Sequence, residues 1–123
     1  MDANRSGAIV VSWGSAVAGR ERILADLFGR VLRYAGGLKQ ASKVEDVRVF
    51  VPKIGSFRDT LMLFGRMEAL LATLVDPEFE KLIVEGTIVV HDLRVDVWEG
   101  GGPEWFGSTP DPYFVELKNL GLV

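Results

Sequence analysis

The stretch "VEDVRVFVPKIGSFRDTLMLF", residues 44–64, decides the fold. In its first part Val47, Val49 and Val51 fall on one side of an extended chain, and Asp46, Arg48 and Phe50 on the other. That two-residue period predicts a half-buried strand over 44–51. "PKIGS" then turns the chain. Residues 57–64 alternate again, with Asp59, Leu61 and Leu63 opposite Arg58, Thr60 and Met62. So short a connection predicts an antiparallel hairpin.

Upstream, "AIVVSW" after Gly7 is a β-branched apolar run and reads as a strand. A helical pattern follows, because Val17, Leu24, Leu27, Phe28, Val31, Leu32 and Ala35 repeat at the spacing of one helix face. Ser15 is its expected N-cap and Gly36-Gly37 its expected stop. Downstream of the hairpin, a helix from Arg66 buries Met67, Leu70, Leu71 and Leu74. Asp76-Pro77 interrupts it and restarts a short helix over 77–85, since aspartate caps well and proline suits a first turn. Gly86 is expected to end that helix, and 87–98 to form a long last strand. Residues 1–98 then make one α+β domain. Residues 99–123 make an irregular C-terminal arm whose Trp105, Phe106, Tyr113 and Phe114 pack on this subunit or on a partner.

Composition narrows the function. The chain has 123 residues, enough for a real core, and a net charge of −3. No basic footprint for nucleic acid is present, and no block of like charge suggests a polybasic membrane anchor. Without cysteine, disulfides, thiolate catalysis and thiolate metal sites are excluded. A single histidine leaves only carboxylates as further metal ligands, and Arg94 between Asp92 and Asp96 would pair with them. Neither a metal nor a cofactor is therefore expected. The opening "MDANRSG" lacks the apolar core of a secretory signal, and no apolar run approaches the ~20 residues of a membrane helix. The expectation is a soluble, cytoplasmic protein that binds neither nucleic acid nor membrane.

The element order is β-α-β-β-α-β, the ferredoxin-like arrangement. Over residues 8–98 the chain resembles the dimeric α+β barrel superfamily. The resemblance rests on this order, on "VVSWG" opening the first strand and on "DPEFEKLIVEG" leading into the last. It is also similar to uncharacterised bacterial proteins of that architecture. The superfamily includes cofactor-independent monooxygenases, haem-binding enzymes, isomerases and members with no known activity. The resemblance thus implies a shape and a homodimer rather than a reaction. It also implies strand order 4-1-3-2, with helices on one face of the sheet.

One glycine pattern invites another reading. Gly14, four residues and Gly19 have the spacing of a phosphate-binding loop. Arg20 and Glu21 then stand where such a loop needs its lysine and hydroxyl, and the glutamate would repel phosphate. A cap at Ser15 places Gly19 inside the helix, and the strands that follow are antiparallel. The stretch reads as a strand-to-helix turn.

Alternation also points to a candidate site. In the expected last strand Val89, His91, Leu93, Val95 and Val97 share the core face with Ile9, Val11, Trp13, Val47, Val49, Val51, Leu61 and Leu63. His91 and Asp59 are the two polar residues on that face. With the first strand antiparallel to the third and fourth, its end at Trp13 comes beside both. A histidine oriented by a carboxylate can act as a general base, and an indole can wall a planar ligand. His91 and Asp59 are the catalytic candidates, and Trp13 and His91 the ligand-binding ones. No "GxSxG" elbow supports a serine triad.

The opposite sheet face mixes Val10, Phe50 and Met62 with Ser12, Arg48, Arg58, Thr60, Asp92, Arg94 and Asp96. Exposed Phe50 and Met62 need cover, which favours a homodimer through this face. Two functions remain: a small dimeric protein that binds a hydrophobic small molecule or serves as an interaction module, and a cofactor-independent enzyme of monooxygenase or isomerase type acting on a hydrophobic or aromatic small molecule.

Overall fold

The computed structural model describes residues 5–55, 58–101 and 112–122, with residues 112–114 described by their backbone alone. The elements are β1 (Ser6–Trp13), α1 (Glu21–Gln40), β2 (Asp46–Phe50), β3 (Asp59–Arg66), α2 (Met67–Leu74), α3 (Pro77–Val89), β4 (Arg94–Glu99) and α4 (Pro112–Asn119). This is an α+β fold with a four-stranded, open antiparallel sheet in the order β2-β3-β1-β4. Counted from the other edge it runs β4-β1-β3-β2, the order expected above.

Register fixes which residues share a face. Ile9 stands opposite Leu63 on one side and Val97 on the other, and Leu63 stands opposite Val47. Ile9, Val11, Trp13, Leu61 and Leu63 form one buried cluster with Leu27, Ala35 and Leu38 of α1, Leu70 of α2, and Phe79, Leu82 and Val89 of α3. Helices α1, α2 and α3 therefore lie on one face. At the sheet margins the cover runs out: Val49, Val51 and Val97, expected in the core, are exposed. Val51 lies beyond the end of β2.

The longest departures from expectation surround β1 and α3. The helix does not start at Ser15. Residues 14–17 instead bond to the chain at and just beyond the end of α3: Gly14 N–H donates to the His91 carbonyl, His91 N–H to that of Ser15, and Val17 N–H to that of Val89. Gly19 sits in the following turn at φ +84°, outside the helix, and α1 begins at Glu21. The Arg20 guanidinium holds the turn by donating to the Ile88 carbonyl. At its far end α1 runs through Gly36-Gly37, because stopping there would forfeit the buried Leu38. It closes with a Schellman pattern in which Ser42 N–H donates to Lys39 O and Lys43 N–H to Leu38 O.

In α3 the expected start is correct. Asp76 accepts from Glu78 N–H, and Pro77 occupies the first turn. The expected end is not. The helix passes Gly86 and ends at Val89, with Phe79, Leu82, Gly86 and Val89 buried on one side. A β-carbon on Gly86 would lie 2.6 Å from Leu93 Cδ1, so this glycine permits a close approach rather than a stop. The last strand is correspondingly short.

Within the expected irregular arm, Pro112–Asn119 is a helix. Trp105, Phe106 and the side chains of Tyr113 and Phe114 lie outside the described residues, as does Phe57. Among the described residues no helix is long and apolar enough to cross a membrane.

Candidate ligand cleft

The end of the sheet where β1 finishes and β3 begins opens into a cleft of about 310 Å³. Its floor is the cross-strand pair Trp13 and Asp59, which stand opposite each other in the β1–β3 register. One wall is the first two turns of α1, where Glu21, Leu24, Ala25 and Phe28 recur at the spacing that stacks side chains on one helix face. Val49 and Val51, left bare by the helices, form the other.

Trp13 and Phe28 meet with ring centroids 5.8 Å apart and planes inclined by 57°. That tilted contact is favourable for aromatic rings and holds the indole against α1. Behind the pair lies a second cavity of about 60 Å³ between α1, α3 and the sheet, walled by apolar side chains and Tyr34. Trp13, Leu24 and Phe28 border both spaces.

Two carboxylates, Glu21 and Asp59, line the cleft, and among the described residues no basic side chain does. Glu21 is exposed in the first turn of α1, where the helix dipole favours negative charge. Asp59 is half-buried on the core-facing side of β3. Among the described residues its carboxylate has no hydrogen-bond or ion-pair partner.

The structure brings together only part of the expected constellation. Trp13 and Asp59 are neighbours, as anticipated. His91 is not on a strand face. It lies exposed in the turn between α3 and β4, because α3 extends to Val89 and β4 starts only at Arg94. Its backbone is joined to Gly14 and Ser15, yet its side chain lines neither cavity. Partial burial of the imidazole, expected from its presumed strand neighbours, is therefore corrected.

A residue that sequence reasoning gave no site role fixes this corner. Arg58 donates through Nη2 to the Ser12 carbonyl at 2.9 Å and to the Asp92 carbonyl at 2.7 Å. Its Nη1 donates to Asp92 Oδ2 at 2.6 Å. The guanidinium thus ties the 91–92 turn to the end of β1. Arg94, and after it Arg58, holds the Asp92 carboxyl below the usual range. Glu21, Leu24, Ala25 and Phe28 were also missed as site residues, although their spacing on one helix face is legible in the sequence.

Among the described residues no three acidic or histidine side chains converge as metal ligands. Comparison with protein-family models, with curated proteins and with solved structures gives no significant match.

Proposed function

We propose that the protein is a ferredoxin-like, dimeric α+β barrel protein that binds a hydrophobic small molecule in the Trp13–Asp59 cleft. The cleft itself carries this reading: about 310 Å³, open, and walled by an indole, a phenyl ring and aliphatic side chains. That volume is at the lower end for small-molecule sites, roughly 300–1,000 Å³. Binding is favoured over catalysis because His91, the histidine expected to act with Asp59, stands outside the cleft.

The homodimer is supported by the sheet face turned away from the helices. Phe50 and Trp98 are about half exposed on its two edge strands. Arg48 of β2 and Asp96 of β4 point to the same side and would meet across a two-fold axis.

A fragment library of small aromatic compounds, followed by the Trp13 indole resonance in ¹H–¹⁵N spectra, tests the binding reading. Saturable shifts at Trp13 that vanish in Leu24→Trp, which fills the cleft, are expected. An unmoved Trp13 resonance across the library would overturn it. Light scattering at micromolar concentration tests the dimer, and a monomer mass would remove it.

A further inference from the structure

We infer that the cleft takes an organic ammonium ion: an apolar body against Trp13 and Phe28, and a cationic head on Asp59. The inference rests on the binding reading above and names its ligand class.

Asp59 is the anomaly that carries it. Its strand neighbours on the same face, Leu61 and Leu63, are buried core residues. A carboxylate next along that face, half-buried beside an indole, stands where the strand's alternation calls for an apolar side chain. Among the described residues no cation or donor compensates it. Arg58, its neighbour in sequence, points to the opposite sheet face and is engaged with Ser12 and Asp92. Glu21 has its own reason at the start of α1 but adds charge of the same sign to the cleft wall.

Electrostatics then selects the ligand. An anion entering would meet two carboxylates and, among the described residues, no basic side chain. A neutral molecule would leave Asp59 uncompensated as it displaced water. A primary or quaternary amine would supply the missing positive charge. Its partly desolvated head would also lie near aromatic faces, which attract cations. The apolar wall of Leu24, Ala25, Val49 and Val51 suits a hydrocarbon or aromatic body rather than a bare metal ion.

The test uses three probes of matched shape: 4-phenylbutylamine, 4-phenylbutanol and 4-phenylbutyrate, each titrated against the full chain with the Trp13 indole resonance as readout. The amine is expected to bind about tenfold or more tightly than the carboxylate, because the charge term changes sign between them. Asp59→Asn should weaken the amine by roughly three- to tenfold and leave the alcohol unchanged. Raising salt on the unaltered protein should weaken the amine selectively, a check independent of any variant. Equal binding of all three probes would overturn the charge inference while leaving the cleft reading intact. No shift at Trp13 with any probe at millimolar concentration would overturn both.

Discussion

Tyr34 of α1 donates its hydroxyl to Asp76 Oδ2 at 2.5 Å, while Asp76 Oδ1 accepts the Glu78 amide at 3.2 Å. One carboxylate thereby caps α3 and ties it to α1. The phenol hydrogen bond, and after it the Glu78 amide, holds the Asp76 carboxyl below its usual range. Burial first, then Asp76, pushes the Tyr34 phenol up.

The signs give two pH limbs. A depressed carboxyl contributes fully above its unfolded value, ~4, and loses that contribution as pH falls through the folded value. A raised phenol contributes fully below its unfolded value, ~10, and loses it as pH rises toward the folded one. Tyr34→Phe should therefore cost about 1 kcal/mol at neutral pH. Its deficit relative to the parent should shrink at both extremes. Thermal unfolding followed by circular dichroism from acid to alkaline pH checks this, and a pH-independent deficit would contradict it.

Ser42 terminates α1 at φ 57°, the left-handed conformation that a Schellman pattern asks of its first residue beyond the cap. A side chain there costs energy that glycine avoids. Ser42→Gly should stabilise the protein by about 0.5–1 kcal/mol, less whatever entropy glycine adds to the unfolded chain. Chemical denaturation should show a higher midpoint at unchanged slope. A lower midpoint would mean that the Ser42 side chain contributes something the backbone geometry does not reveal.

What the sequence discloses here depends on which force is local. The hairpin is legible because alternation and a short turn are both written within residues 44–64. The cap at Asp76-Pro77 is legible for the same reason. The end of α3 is not, because "TIVV" favours a strand locally while burial of Val89 beside Leu82 and Phe79 favours another helical turn. Packing wins, and His91 moves from a strand face to an exposed turn. The start of α1 fails similarly: Ser15 can cap a helix, but its carbonyl is used by His91, a partner remote in sequence. Trp13 and Asp59 survive as a pair because both depend only on strand register. The cleft beside them arises where helix cover ends, and no local pattern records that boundary.

Gly7 occupies a place that no side chain can share. A β-carbon there would fall 2.1 Å from the Trp98 carbonyl oxygen and 2.7 Å from Met67 Cε. Met67 could move, but the carbonyl belongs to the β4 backbone paired with β1. Gly7→Ala must therefore push β4 away and disturb the Gly7–Glu99 pairing. The expected cost is about 2–3 kcal/mol, at the upper end for overpacking. Faster amide exchange should accompany it in β4 but not in β2. A variant as stable as the parent would show that β4 is not held at this distance.

Gly86→Ala looks like the same experiment and should end differently. The added methyl would also crowd a neighbour, at 2.6 Å, but that neighbour is Leu93 Cδ1, the far end of a flexible side chain. Leu93 and Gly86 both border the apolar cavity of about 60 Å³ behind Trp13. A rotamer change can carry the leucine methyl into that space, so the crowding is relieved by filling a void. The substitution also removes a helix-interior glycine, worth about 1 kcal/mol. The two effects oppose each other, and the net change should stay within about 1 kcal/mol of zero. Xenon, a probe for small apolar cavities, should bind the parent and bind Gly86→Ala more weakly, with the Leu93 methyl resonances shifted in the variant. A loss comparable to that of Gly7→Ala, with xenon binding unchanged, would mean that Leu93 cannot turn inward and that this helix–strand contact is as rigid as the one at Gly7.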